Sequence, residues 1–316
     1  MNIKGIKIGV LGGGVSPERD VSLISAKEAQ SALLRAGLEA IFVDITSSLL
    51  SDVKKLIASH SLDLAFIALH GKFGEDGSIQ QILEDLEIPY TGSGPKASFL
   101  AMDKTLSKNI FIKAGIQTPN FSVCVGSQSL PKDIKYPVVI KPDFSGSSLG
   151  ISIVREEFDL KKALDRAFSY SRSEVIFEEY IEGRELTVGI LEDKPLSVVE
   201  IVPKNSYYDF DAKYADGKTD FIAPAQLENS LYKKIQNQAL KAYQILGCRY
   251  FSRVDFRLNT NNIPYVLEVN SIPGLTSHSL LPLSAKECGI GFDALILKMV
   301  RLALYAKKEK QKTQKN

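Results

Sequence analysis

The 316-residue chain has no tryptophan and only three cysteines, three histidines and three methionines. Cys124, Cys248 and Cys288 lie far apart, are odd in number and form no CxxC pair. That pattern speaks against a disulfide framework and a zinc site, and it fits a reduced, cytoplasmic setting. No apolar run is long enough to span a bilayer, and MNIKGIKIGVLGGG at the start runs into a strand and a glycine turn with no signal-peptide core. A membrane is therefore not an expected partner. A strong excess of one charge sign is also missing. Net charge is +2, and the last ten residues hold five Lys and one Glu, so the rest of the chain is slightly acidic. The basic balance belongs to the tail 307–316 and argues against a nucleic-acid-binding surface. Two phosphate-binding signatures are absent as well. GxxxxGK[ST] does not occur, and at Gly12-Gly13-Gly14 the third glycine of GxGxxG would fall on Pro17.

What is present reads as α/β. Ile6 to Leu11 is an apolar strand. Ser16-Pro17-Glu18 opens a helix through Arg35, with Ser16 as N-cap, and Gly37 ends it. Strands Ala40 to Ile45 and Asp63 to Leu69 flank a helix that ends near Ser59, which implies a parallel sheet with covering helices. The Gly12–Gly14 turn reads as room for a ligand near a helix N-terminus, or else as a tight structural turn. His70 to Gly77 follows the third strand, at the carboxyl end where open α/β sheets bind ligands. His70 taken alone is more often a satisfied structural histidine. Pro95 to about Ala114 reads as one helix carrying Asp103 and Lys104.

Further on, Val138-Val139-Ile140-Lys141-Pro142 is a buried strand that closes on a lysine. Lys141 either snorkels to solvent or presents a cation at a strand end. The small-residue loop Ser145 to Gly150 beside it suits a flap over phosphate, because backbone amides can approach closely there. A helix from about Glu156 to Ser169 leads to the strand Glu174 to Tyr180, and Glu178-Glu179-Tyr180-Ile181 leaves that strand where a hinge could hold an adenine. Strands Glu185 to Leu191 and Leu196 to Val202 follow. A polar, aromatic-rich segment, 203–224, then has the length of a lid. Leu227 to about Leu246 and Phe292 to Tyr305 read as helices.

The most informative stretch is Phe251 to Leu275. Arg253 and Asp255 alternate with Val254, Phe256 and Leu258, and Glu268 and Asn270 alternate with Leu267 and Val269. Period-two alternation means strand, and the polar TNNI segment between the runs suggests a hairpin. If Asp255 pairs with Glu268, Arg253 falls opposite Asn270. One face then gathers two carboxylates, an amide and a guanidinium. Facing carboxylates repel unless a cation lies between them, and hard oxygen donors suit Mg²⁺ or Mn²⁺. The alternative is a solvated sheet face with a surface ion pair. The loop that follows, Ser271 to Ser279, is rich in groups that receive carboxylate or phosphate oxygens.

Nine short stretches in a fixed order resemble the ATP-grasp enzymes, and within them the D-alanine–D-alanine ligases. They are Gly12-Gly13-Gly14 with Ser16-Pro17-Glu18-Arg19-Asp20, ALHGKFGEDG at 68–77, PYTGSG at 89–94, MDK at 102–104, VIKP at 139–142, GSSLG at 146–150, DAKY at 211–214, RVD at 253–255 and LEVNSIPGLTSHSL at 267–280. The resemblance covers nearly the whole chain. It implies an α/β, three-domain ATP-grasp architecture: a Rossmann-like parallel-sheet domain at 1–101, a central domain at 102–183, and a C-terminal domain at 184–316 with the lid 203–224 and the basic tail. It implies ATP as co-substrate, D-alanine as substrate, two Mg²⁺ or Mn²⁺ ions per site and a homodimer.

The site residues follow at matching positions. Asp255, Glu268 and Asn270 are implied metal ligands. Lys104, Lys141 and Lys213 are implied phosphate partners, with Ser147 and Ser148 in the flap. Glu178 and the backbone of Ile181 would read the adenine edge and Glu185 the ribose, with Glu179 and Tyr180 also among the implied ATP-binding residues. Arg253 and the Gly274 amide would stabilise an oxyanion. Glu18 and His70 would receive the first D-alanine, and Ser279 with Leu280 the second. Glu18, Ser147 and Tyr214 would form a hydrogen-bonded set.

Overall fold

The computed structural model describes residues 3, 5–126, 130–171, 174–204 and 218–313. Its first unit alternates strand and helix: β1 (Lys7–Gly13), α1 (Arg19–Arg35), β2 (Glu39–Ile45), α2 (Leu50–Ser59) and β3 (Leu64–Ile67). These strands form a parallel sheet in the order β2-β1-β3, and Tyr90 extends it through a parallel bridge to Ala65. Two short helices follow, α3 (Ser78–Asp85) and α4 (Pro95–Met102). Both faces of β1 and β3 are apolar, as a doubly covered parallel sheet requires, and every residue of β3 is buried.

The helix expected from Pro95 to Ala114 is two helices. Asp103 adopts an extended backbone between them, and its Oδ1 accepts from the Leu106 amide at 2.8 Å, capping α5 (Lys104–Lys113). The cap places Lys104 and Lys108 on one face of α5, one turn apart, and both are buried.

The second unit is a four-stranded antiparallel sheet, order β4-β7-β5-β6, made of β4 (Phe121–Val125), β5 (Val138–Pro142), β6 (Ser152–Val154) and, after helix α6 (Leu160–Tyr170), β7 (Glu174–Glu179). The third is a five-stranded sheet, order β10-β9-β8-β11-β12. Its strands are β8 (Gly183–Leu191), β9 (Lys194–Pro203), β10 (Thr219–Ile222) and, after α7 (Asn229–Ile245), β11 (Phe251–Asn259) and β12 (Pro264–Asn270). The expected lid segment, 203–224, thus starts at the last residue of β9 and takes in the whole of β10, and its residues 205–217 lie outside the described ones. Those strands pair antiparallel from Thr219 opposite Pro203 to Ile222 opposite Glu200.

Helices α8 (Leu280–Lys286) and α9 (Phe292–Thr313) close the chain. The apolar face of α9, with Leu295, Ile296, Met299 and Val300, packs into the first core beside Ile8, Val10 and Ala29. Arg35 of α1 meets Asp293 of α9 at 2.5 Å. The last helix therefore braces the parallel sheet. Among the described residues, no helix is long and apolar enough to cross a membrane.

Candidate active site

The hairpin holds the register its alternation implies. Asp255 lies opposite Glu268 and Arg253 opposite Asn270. A bulge follows, so that Phe256 faces Val266 and Leu267 is the extra residue. Strict alternation would have put Leu267 with the apolar face. The bulge turns it instead toward a cleft between the two antiparallel sheets, beside Glu268. Val254, Phe256, Val266 and Val269 fill the core behind.

Asp255 is buried and heavily bonded. Arg253 donates from Nε to Oδ1 and from Nη2 to Oδ2, each at 2.8 Å, in the two-pronged geometry open to a guanidinium. Thr187 on β8 donates to Oδ1 at 2.6 Å, and Asn270 Nδ2 to Oδ2 at 2.9 Å. Glu268 pairs with Lys104 at 3.3 Å, and Lys104 Nζ also donates to the Ser145 carbonyl at 2.5 Å. The hairpin face therefore combines two carboxylates with an amide, all oxygen-bearing ligands. This donor set suits a hard divalent ion.

Across the cleft, Lys141 does not snorkel. It is buried, and its Nζ donates to Glu178 Oε1 at 2.7 Å. Lys108 meets the other oxygen, Oε2, at 2.5 Å. Burial alone would raise the Glu178 carboxyl, but the two lysines outweigh it and hold it below the ordinary range. Burial likewise pushes the Lys108 ammonium down to about 8, against the pull of Glu178.

At the hinge, Glu179 accepts from Asn120 Nδ2 at 2.7 Å. The Tyr180 ring has the guanidinium carbons of Arg155 and Arg257 each 5.8 Å from its centroid. Arg257 Nε donates to the Ile181 carbonyl at 3.0 Å and Nη2 to the Gly183 carbonyl at 2.9 Å, and Nη1 lies 3.4 Å from Glu185 Oε2. Ser148, Glu178 to Ile181, Glu185, Asp255 and Glu268 line this one cleft. In the flap, Ser147 and Ser148 both take left-handed backbone, φ 50° and 57°, a costly conformation for consecutive non-glycine residues.

A second cluster sits at the carboxyl end of the parallel sheet. Glu18 is buried, and Ser147 of the flap donates to its Oε1. Ser16 is not the cap of α1, which starts at Arg19. Its hydroxyl accepts from the Glu18 amide and donates to the His70 carbonyl. The His70 ring lies between Ser25 Oγ, 2.9 Å from Nε2, and Glu75, 3.6 Å from Nδ1. Ser25 also accepts from the Leu275 amide at 3.4 Å, which ties His70 to the loop after the hairpin. In that loop a Cβ on Gly274 would lie 3.1 Å from Ser279 Oγ, and Ser279 Oγ accepts from the Thr276 amide at 3.0 Å. The Leu280 side chain is core, against Val199 and Ile201. Lys213 and Tyr214 lie outside the described residues.

The Gly12–Gly14 turn is structural. A Cβ on Gly13 would meet Asp44 Oδ1 at 2.2 Å and Arg19 Nη1 at 2.4 Å, so the chain's own Arg19–Asp44 pair fills the space read as room for a ligand. A wider cleft among α2, α3 and α4 is lined by the charged side chains of Lys54, Asp76, Asp85 and Lys96, of which Lys54 and Asp85 pair at 3.3 Å. Sequence reasoning passed over Thr187, Lys108, Ser25 and Arg257. Two of these carried a signal. Arg257 continues the Arg253, Asp255 alternation, and Lys108 follows Lys104 at helical spacing.

Two antiparallel sheets that close on a cleft walled by buried lysines and a carboxylate hairpin define the ATP-grasp class. The profile described as "D-ala D-ala ligase N-terminus" matches residues 49–93, and "D-ala D-ala ligase C-terminus" matches 110–301. The chain is 47% identical over 298 residues to a D-alanine–D-alanine ligase of Trichlorobacter lovleyi, covering 93% of this chain and 94% of that protein. It is 45% identical over 304 residues to that of Geotalea uraniireducens, covering 95% and 96%. The crystal structure of D-alanine–D-alanine ligase from Bacillus anthracis complexed with ATP superposes with TM-score 0.84 at 33% identity, covering 97% of this chain and 100% of that one. The chain belongs to the D-alanine–D-alanine ligase family.

Proposed function

We propose that the protein joins two D-alanines to D-alanyl-D-alanine at the expense of ATP, releasing ADP and phosphate, for peptidoglycan precursor synthesis in the cytoplasm. The observation that carries the reading is the single cleft onto which Lys141, Glu178, Asp255 and Glu268 converge from two sheets, in a chain of this family. The nucleotide lies there, with its adenine against the Glu178–Ile181 hinge and its ribose at Glu185. Its phosphates lie near Lys104 and Lys141 under the Ser147–Ser148 flap, and Lys213 is the third phosphate partner of this reading.

Asp255, Glu268 and Asn270 would hold Mg²⁺ or Mn²⁺, which neutralises charge on the phosphates when bound. Glu18 binds the ammonium of the first D-alanine, with His70 beside it, so that its carboxylate faces the γ-phosphate. Attack there breaks the bond to ADP and leaves an acyl phosphate. The amine of the second D-alanine, held by its carboxylate at Ser279 and Leu280, attacks the acyl carbon and expels phosphate. Arg253 and the Gly274 amide face the oxyanion. Removing one donor of that kind costs about 10²–10³ in rate.

Tyr214, in the lid, favours an amine over a hydroxyl acceptor. The product is then a dipeptide, and D-lactate should not replace D-alanine. The working form is a homodimer of three-domain chains, divided at 101 and 183.

The test is phosphate release with ATP and Mg²⁺, with and without D-alanine, alongside mass spectrometry of the product. D-alanine-dependent release with dipeptide is expected. Release without dipeptide would redirect the assignment to another acceptor, and no release would remove it.

A further inference from the structure

Lys108 is a buried charge that does not itself line the cleft. Its exposure is nil, and its Nζ donates to Thr118 Oγ1 at 2.6 Å with the Phe121 ring centroid 5.6 Å away. Its charged contact is Glu178 Oε2, at 2.5 Å, while Lys141 holds Oε1 at 2.7 Å. Two ammonium groups therefore share one carboxylate, and all three side chains are at least nine-tenths buried.

Stability alone gives no reason for this trio. Each buried ion costs several kcal/mol after relaxation, and a well-packed apolar side chain in its place is often neutral or better. Lys141 by itself would neutralise Glu178. The second lysine leaves one positive charge in excess, directly behind two residues that line the cleft, where an anionic ligand would be drawn. The position is also set by helix geometry. Lys104, one turn earlier on α5, reaches Glu268 on the other sheet at 3.3 Å. One helix thus engages both walls of the cleft.

We propose that Lys108 is a positioning residue for the nucleotide. Its ammonium balances Glu178 from behind, so that the charge of Lys141 serves the phosphate chain rather than being cancelled by its neighbour, and Glu178 stays oriented toward the adenine. The inference rests on the cleft being the ATP site.

The experiment measures KM for ATP, KM for D-alanine and kcat in the full-length protein for Lys108→Met, Glu178→Gln and the double variant, with ATP binding to the wild type followed by calorimetry. Lys108→Met is expected to raise KM for ATP about tenfold or more, with KM for D-alanine within twofold of wild type. Because Lys108 acts through Glu178, adding Lys108→Met to Glu178→Gln is expected to change KM for ATP by less than twofold. Should Lys108→Met not fold, the double variant leaves no unpaired carboxylate in the core, and its comparison with Glu178→Gln decides alone. An unchanged KM for ATP in Lys108→Met, or additive losses in the double variant, would overturn the proposal while leaving the ATP site intact. A wild type that does not bind ATP would overturn both.

Discussion

Ser147 donates its hydroxyl to Glu18 Oε1 across 129 residues of sequence, joining the flap of the second sheet to the start of α1 under the first. The flap is thus anchored to the residue proposed to bind the first amino acid, and on that proposal closure over phosphate and capture of D-alanine would be coupled. Ser147→Ala is expected to raise KM for both ATP and D-alanine. The combined fall in kcat/KM should be about 10- to 100-fold, the worth of one hydrogen bond to a charged group. Steady-state kinetics with each substrate varied in turn checks this. A change confined to ATP would mean that the flap acts independently of Glu18.

Thr187 donates to Asp255 Oδ1 from the neighbouring strand and faces no part of the cleft itself. It orients a proposed metal ligand. Thr187→Val should keep the fold and raise the Mg²⁺ concentration for half-maximal activity by about 10- to 100-fold, the usual effect of losing such a support. Titration of activity with Mg²⁺ reads it out, and an unchanged titration would argue that Arg253 and Asn270 suffice to fix the carboxylate.

Lys108 makes stability and substrate binding move in opposite directions with pH. Its folded-state value is about 8, set by burial against the pull of Glu178, while the unfolded side chain keeps the ordinary 10.5. Between those values the unfolded state binds more protons, so stability rises with pH. Relative to Lys108→Met, the wild type should gain roughly 1–3 kcal/mol as pH goes from 8 toward 10. Over the same window KM for ATP should rise, because the ammonium that balances Glu178 is lost. The charged groups facing Lys108 are Glu178 on β7, Lys141 on β5 and Glu268 on β12. Urea denaturation and kinetics of both proteins at several pH values test the pair of trends.

Gly71 has φ +71°, and a Cβ there would lie 2.1 Å from Glu18 Oε2. Gly71→Ala meets both a backbone penalty and a displaced carboxylate. It is expected to lower stability by about 1–3 kcal/mol and to raise KM for D-alanine more than KM for ATP. Equal effects on the two would place the displacement elsewhere.

Much of this molecule was legible from the chain alone, and for local reasons. The alternation of Arg253, Asp255, Glu268 and Asn270 specified the hairpin register, because a slip by one residue would send Val254 and Phe256 to the polar face. Strand–helix periodicity in the first hundred residues specified the parallel sheet, since short crossovers leave few other arrangements. The ordered motifs pointed to the family. Tertiary structure decided the rest. Whether glycines at 12–14 leave space depended on Arg19 and Asp44 meeting beside Gly13. Whether Leu267 faces the core or the cleft depended on a bulge that the hydrophobic pattern does not encode. That Lys108 and Lys141 share Glu178 required two strands and a helix, 70 residues apart in sequence at the extremes, to bury their charges at one point. Periodicity reports which face of an element turns inward. Which charges meet there is a property of the packing.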